Sequence, residues 1–336
     1  MLDLFAALFK EAIRLRNASY NRRIFDVIDL GAYTVSVGNI TTGGTGKTPL
    51  VAYIAEMLAS DGEKVCILTR GYGRRDPKKR VLVSDGSTVL VNAEAGGDEP
   101  VELATKLRGK AIVIADADRV SAGEWARRKF GVTAFVLDDG FQHRTARRDL
   151  DIVCVDATQP LFDAKLLPAG RLREPVESLD RADAIVITRS EQVADIDELR
   201  SRIASVTTKP KVFVSHTKIK SLRSLGGPSE APENGRVVAF CALGNPDAFF
   251  AQTKALDLEL VGQMAFRDHH RYVQSDVGEI EKLARESNAD LLLTTAKDAV
   301  KLSDLKFEIP CFVAEIETII NEDAEFRDLI LSRLGR

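Results

Sequence analysis

Cysteine, surplus charge of either sign and long apolar runs are all scarce in this chain, and each scarcity excludes a class of protein. The four cysteines among 336 residues are Cys66, Cys154, Cys241 and Cys311. Each lies inside an apolar, strand-like run and no two share C-x-x-C spacing, so buried thiols in a reducing compartment are expected, not a disulfide frame or a zinc site. No segment reaches the roughly 18 uninterrupted apolar residues of a membrane span. Residues 1–16 lack the basic start and small-residue cleavage site of a secretory signal, so the sequence reads as cytoplasmic. Lys+Arg 47 against Asp+Glu 50 leaves a net charge of −3, which argues against a globally basic nucleic-acid binder. An anionic partner must be met by a local patch. With 23 glycines and 11 prolines the chain is neither collagen-like nor of low complexity, and no fixed-period repeat supports a solenoid or propeller.

What is present is rhythm. Short β-rich runs alternate with helical stretches, the pattern of parallel βαβ units. Strands are expected at 34–37, 65–69, 112–115, 134–137, 152–155, 184–188 and 212–216, several of them apolar throughout, as strands covered on both faces must be. Helices are expected at 48–60, 101–107, 120–130 and 196–204. The polar, Gly/Pro/Ser-containing stretch 221–235 reads as a linker. Beyond it a second α/β set runs through strands at 237–242, 260–266, 291–295 and 311–314 and helices at 246–256, 275–286 and 322–334.

The first residues carry a pattern of their own. Leu2, Phe5, Phe9 and Ile13 recur at helical spacing with Leu4 and Leu8 beside them, and Lys10, Arg14, Arg16, Arg22 and Arg23 supply cationic flanks. A helix of about 15 residues spans roughly 22 Å, which suits lying in a membrane interface better than crossing it. Docking on its own domain explains the same spacing.

The segment Thr34-Val-Ser-Val-Gly-Asn-Ile-Thr-Thr-Gly-Gly-Thr-Gly-Lys-Thr-Pro49 reads as a strand, a glycine-rich turn and a helix opening at Lys47. Backbone N–H groups from Thr41, Thr42, Gly43, Gly44, Thr45 and Gly46 can converge on phosphate oxygens. Lys47 adds a point charge and Thr48 a hydroxyl for Mg²⁺. Thr41 stands where the standard motif has its leading glycine, so this is a variant loop for a nucleoside triphosphate. Thr42 stands where ParA/MinD-type ATPases carry an extra lysine. The run Ala134-Phe-Val-Leu-Asp-Asp139 ends an apolar strand in two carboxylates, so Asp138 and Asp139 are candidates for a Walker-B-type Mg²⁺ site. An Asp-Gly turn explains Asp139 alone. The fold expected is α/β: a P-loop NTPase-type domain with a mostly parallel sheet (25–220), preceded by the amphipathic helix (1–24) and followed by the linker (221–235) and a smaller α/β domain (236–336).

Seven segments occur in the order and approximate spacing of the tetraacyldisaccharide 4′-kinase (lipid A 4′-kinase) family, which the chain resembles from about Thr34 to Lys301. They are the phosphate loop, Thr69-Arg-Gly-Tyr-Gly73, Gly97-Asp-Glu-Pro100, Asp138-Asp-Gly-Phe-Gln-His143, Leu166-Leu-Pro-Ala-Gly-Arg-Leu-Arg-Glu-Pro175, Phe266-Arg-Asp-His-His270 and Thr294-Thr-Ala-Lys-Asp-Ala-Val-Lys301. The resemblance implies transfer of the ATP γ-phosphoryl group to the 4′-hydroxyl of a tetraacyldisaccharide 1-phosphate, forming lipid IVA. It also implies a peripheral enzyme on the cytoplasmic face of the bacterial inner membrane, held at an anionic membrane surface and binding no nucleic acid. It points to Asp98 as the base for the sugar hydroxyl, assisted by His269 across an interdomain cleft, with Lys47, Asp139 and Arg173 as further catalytic groups. As plain structure, Asp98 reads as a helix N-cap. Two positions depart from the pattern: Arg171, where proline is expected, and Ala296, often acidic in the family, two residues from Asp298. The basic cluster of Arg70, Arg74, Arg75, Lys78, Lys79 and Arg80 around Tyr72 fits phosphate or membrane recognition, or a solvated hairpin. The rival function is a membrane-associated ATPase switch of the ParA/MinD type.

Overall fold

The apolar runs become strands buried along their whole length, and the glycine-bearing segments between them become the turns that admit helices. In chain order the elements are α1 (Leu2–Asn21), β1 (Tyr33–Gly38), α2 (Lys47–Ser60), β2 (Val65–Thr69), β3 (Val81–Ser84), α3 (Ala93–Gly96), α4 (Asp98–Lys106), β4 (Ala111–Ala115), α5 (Arg119–Phe130), β5 (Ala134–Asp138), β6 (Leu150–Asp156), β7 (Ala184–Thr188), α6 (Asp197–Val206) and β8 (Lys211–Ser224). They continue as β9 (Arg236–Cys241), α7 (Pro246–Lys254), β10 (Glu259–Ala265), α8 (Gln274–Glu286), β11 (Leu291–Thr295), α9 (Ala296–Ala299), β12 (Cys311–Ile320) and α10 (Asp323–Leu331). The structure is a computed structural model and describes residues 2–226, 232 and 234–334.

The chain forms two units. One holds the residues up to Val91, Ala95–His216 and those from Thr318 onward; the other holds Asn92–Glu94 and Thr217–Glu317. In the first unit the strand order is β8-β7-β6-β1-β5-β2-β4-β3, parallel except for β3, which runs antiparallel to β4 at the edge. β1 is central, pairing Val35 with Val136 of β5 and Val37 with Ile152 of β6. β1, β2, β4, β5, β6 and β7 are buried at every position, as a parallel sheet with helices on both faces requires. One core packs Leu30, Leu68, Ile114, Phe135 and Leu137 against Val120 and Ala126 of α5. The other gathers Ile40, Phe141, Val153, Ile185 and Ile203, and Ile13 of α1 seals it. Its position at the middle of the sheet leaves the C-terminal end of β1 beside the ends of β5 and β6, the place where open parallel sheets bind ligands.

The second unit has the parallel order β10-β9-β11-β12. Val237, Ala239, Leu293 and Phe312 face Phe249 and Phe250 on one side, and Val238, Phe240 and Leu292 face Ile280 and Ala284 on the other. All four cysteines are buried and unbridged.

Three boundaries differ from the sequence expectation. β8 continues to Ser224, inside the stretch read as a linker; residues 227–231 and 233 of that stretch lie outside the described residues. The residues after Glu317 belong to the first unit, not to the second domain in which the sequence reading placed them. The reason is packing: Phe326 of α10 is buried edge-on against Phe213 of β8, their ring centroids 5.0 Å apart. Finally, α1 has 20 residues, longer than the spacing alone suggested.

Candidate active site

The turn after β1 is built to hold a backbone cradle open. Gly43 and Gly46 have φ of 102° and 72°, a region L side chains avoid, and Gly46 is the N-cap of α2. The cradle is braced from below. Asn39 is fully buried and donates through Nδ2 to Thr45 Oγ1 (3.0 Å), while Thr188 at the end of β7 donates to the carbonyl of Thr45 (2.8 Å). Thr45 is therefore turned inward, and what it offers a ligand is backbone. Thr41 is buried and bridges to Leu172, and Thr42 N–H donates to the carbonyl of Arg171 (2.7 Å). Gly43 and Gly44 form the exposed crest, and Lys47 and Thr48 are half-buried at the start of α2.

Beside this loop the two carboxylates take different environments, as adjacent residues at a strand end must. Asp138 is the last residue of β5, 3% exposed, and accepts from Thr69 Oγ1 at 2.8 Å. Burial first, then the negative charge of Glu99 and Asp139, push its pKa up to about 6 against the opposing pull of Lys47 and Thr69. Asp139 turns away in a left-handed conformation (φ 53°) and meets two cations: Lys47 Nζ at 3.5 Å and Arg173 Nη1 at 2.7 Å. Burial alone would raise its pKa; Lys47 and Arg173 outweigh that and hold the carboxyl below its ordinary value. The structure thus brings together Lys47, Asp138, Asp139 and Arg173.

Asp98 is the first residue of α4, one place inside the helix, and the N-cap is Gly97 (φ 95°). The reading of Asp98 as an N-cap is corrected accordingly: a β-carbon on Gly97 would lie 3.0 Å from the carbonyl of Tyr72, so glycine is required there and Asp98 moves into the first turn. His269 lies in the second unit after β10, at φ 61°, with Nε2 3.9 Å from Asp268 Oδ2; Asp268 is itself paired with Lys297 at 2.9 Å. His270 is structural, bonded to Asp276 (2.9 Å) and stacked on Phe266. Asp298 is fully buried, accepts from Ala242 N–H (3.0 Å) and Thr295 Oγ1 (2.8 Å), and lies 2.9 Å from Lys301 Nζ. It anchors the unit's interior.

The basic cluster divides by role. Arg74 is buried and donates to the carbonyls of Ala115 (2.6 Å) and Pro77 (2.7 Å), and Arg80 pairs with Asp116 at 2.7 Å. Arg70, Lys78 and Lys79 are exposed beside Tyr72, which is 82% exposed.

Sequence reasoning missed Arg119, Asp156 and Arg189. Arg119 is buried at the start of α5, and Asp138 and Asp139 act on its charge. Asp156 ends β6 and pairs with Arg189 just past β7 at 2.6 Å. The available signal was position: Asp156 and Arg189 sit at the C-terminal ends of β6 and β7 and Arg119 opens the helix that follows β4, all on the edge on which the loop opens.

Residues 1–335 match the family described as "Tetraacyldisaccharide-1-P 4′-kinase". The chain is 39% identical over 306 residues to the tetraacyldisaccharide 4′-kinase of Geobacter metallireducens, covering 90% of this chain and 88% of the relative. It is 34% identical over 347 residues to that of Syntrophus aciditrophicus, covering 99% and 92%. Among solved structures, LpxK from Aquifex aeolicus in complex with ATP superposes with a TM-score of 0.80 at 30% identity, covering 98% of this chain and 97% of that one.

Proposed function

Because the chain belongs to the tetraacyldisaccharide-1-P 4′-kinase family, we propose that it transfers the γ-phosphoryl group of ATP to the 4′-hydroxyl of tetraacyldisaccharide 1-phosphate, giving lipid IVA. That it is a kinase of α/β fold follows from the family; the substrate, the product and the residue roles are the proposal. The observation that carries it is the Lys47–Asp139–Arg173 cluster beside Asp138 at the opening of the phosphate loop.

In the proposed reaction the backbone N–H groups of residues 43–48 and the Lys47 ammonium hold the triphosphate; Thr41 and Thr42, expected from the sequence to join them, are instead tied to Leu172 and Arg171. Arg173, fixed by Asp139, faces the charge that develops on the transferred group. Asp98 takes the proton of the 4′-hydroxyl, a bond forms from O4′ to the γ-phosphorus, and the bond to the β-bridging oxygen breaks to leave ADP. His269 assists that carboxylate.

The residues fit Mg²⁺. Asp138 and Asp139 are hard oxygen donors, Thr48 adds a hydroxyl, and the charged form of Asp138 is disfavoured first by burial and then by the neighbouring Glu99 and Asp139, a cost that a cation would relieve. Among the described residues no three acidic, His or Cys side chains converge as a metal cage, which suits an ion carried largely by phosphates and water. When bound, it would neutralise β- and γ-phosphate charge.

For the membrane surface, support comes from α1. It docks through Phe9 and Ile13, while Leu4, Leu8 and Leu15 stay exposed on the opposite face. Among the described residues no helix is long and apolar enough to cross a membrane. An enzyme lying on the cytoplasmic face of the inner membrane accords with both. The switch reading has no such support, since Thr42 lacks the extra lysine and the family is one of kinases.

The test is direct: incubate the protein with ATP, Mg²⁺ and tetraacyldisaccharide 1-phosphate in mixed micelles and follow labelled lipid. Lys47→Ala should abolish product. Asp98→Asn and His269→Ala should each lower kcat by about a hundredfold or more with ATP affinity nearly intact. ATP consumption without labelled lipid sinks the proposal.

A further inference from the structure

The crest of the phosphate loop has a cation beside it that the chemistry above does not use. Arg189 follows β7 in a left-handed conformation, φ 58°, which is strained for a non-glycine residue and persists only where its surroundings impose it. What imposes it is Asp156. Its carboxylate is 1% exposed and accepts from Gln159 Nε2 (2.9 Å), from Thr158 N–H and Oγ1 (3.0 and 2.7 Å), and from Arg189 Nη1 at 2.6 Å. No other protein hydrogen bond or ion pair engages the guanidinium among the described residues. Its Nη2 lies 3.7 Å from where a β-carbon on Gly44 would stand, so the free edge of the guanidinium lies over the loop crest with its side chain 26% exposed.

Sheet order decides which end of a nucleotide this group meets. The groups that suit the terminal phosphate, Lys47, Asp138, Asp139 and Arg173, gather at the end of β5, on one side of β1. Asp156 and Arg189 lie at the ends of β6 and β7, on the other side. A triphosphate with its γ-group at β5 must run across Gly43 and Gly44 and deliver its nucleoside toward β6 and β7.

We propose that Arg189 binds the nucleoside end of ATP, its guanidinium plane stacking on the purine, and that Asp156 is the positioning residue that holds the plane in place. This rests on ATP occupying the loop, as proposed above. Thr188, one residue earlier, already grips the loop through Thr45, so the same strand end fixes both the cradle and the group that closes over its crest.

The experiment measures binding by titration calorimetry with three probes: ATP, ADP and inorganic tripolyphosphate, which has the phosphates without the nucleoside. The variant is Arg189→Gly, because glycine accepts the left-handed backbone. The expected result is a loss of about tenfold in affinity for ATP and ADP alike, with tripolyphosphate bound as by wild type. Asp156→Asn should show a smaller loss in the same pattern, with the KM for ATP raised and the KM for lipid unchanged, a split that a general loss of structure would not produce. If Arg189→Gly proves unstable because Asp156 is left buried and unpaired, the Arg189→Gly/Asp156→Asn double variant removes that charge and serves for the same titrations. Unchanged ATP and ADP affinity overturns the proposal, as does an equal loss for tripolyphosphate, which would assign the arginine to the phosphates. Wild-type protein that binds neither ATP nor tripolyphosphate would instead overturn the nucleotide reading itself, a separate failure.

Discussion

His143 follows the carboxylate pair by four residues, and its environment makes it a reporter on the fold. Burial first, then the nearby guanidinium groups of Arg119 and Arg148, lower its pKa to about 4, and its Nε2 is buried without a hydrogen-bond partner. In the unfolded chain the ring titrates near 6.5. Between those values the unfolded state binds a proton that the folded state refuses, so this residue's contribution to stability is present above about 6.5 and is lost as pH falls toward about 4. His143→Gln should therefore flatten the fall in Tm between pH 7 and pH 5 relative to wild type; parallel melting curves would show that the ring does not carry this charge penalty. The motif around His143 was legible in the sequence, but its environment was not, because Arg119 and Arg148 approach it only once β4, β5 and their loops are assembled. The same is true of Asp139. Its neighbours Lys47 and Arg173 lie far away in the chain, and nothing local to the Asp-Gly pair announces either of them.

At the scale of elements, α1 buries one apolar face on its own unit and leaves a second one exposed. Ala6, Phe9 and Ile13 pack on the core around Leu161 and Leu166, Asn17 donates to the buried Glu174 at 2.9 Å, and Lys165 reaches Asp3 at 2.8 Å. Leu4, Leu8 and Leu15 fall on the far face and remain 61–66% exposed, while Glu11 and Arg14 pair at its border. If that row enters an interface, each leucine contributes on the order of 1 kcal/mol at partial burial. The triple substitution of Leu4, Leu8 and Leu15 by Ser should then weaken binding to anionic vesicles by about a hundredfold with Tm nearly unchanged. Equal co-sedimentation of variant and wild type would remove α1 from the membrane. The sequence showed an apolar helix here, but periodicity cannot say which of two apolar faces meets protein. Strands read as apolar throughout were placed within a residue or two. β3 was missed because Val81–Ser84 is a short antiparallel edge inside a polar region, and the long extensions of β8 and β12 were missed because their outer halves alternate and carry lysine and glutamate.

For the whole molecule, the return of the chain to the first unit matters most. Phe326 and Ile330 are fully buried, Tyr33 donates to the carbonyl of Ile330 at 2.7 Å, and Lys211 pairs with Glu325 at 2.7 Å. Phe326→Ala should destabilise the protein by about 3–5 kcal/mol through the cavity it leaves, read as an earlier midpoint in denaturant melts; a shift below about 1 kcal/mol would mean that α10 is dispensable to that core. The domain boundary was illegible in sequence because nothing in the composition of residues 318–334 separates them from the unit before; their distant partners do, the ring of Phe213, Tyr33 and Lys211 among them. That return also orders events on the ribosome. The second unit has its residues up to Glu317 in hand once Glu317 leaves the exit tunnel, whereas the phosphate-loop unit still waits for α10, which is made after it. A nascent chain arrested before α10 would expose an unfinished nucleotide domain already carrying a finished insert.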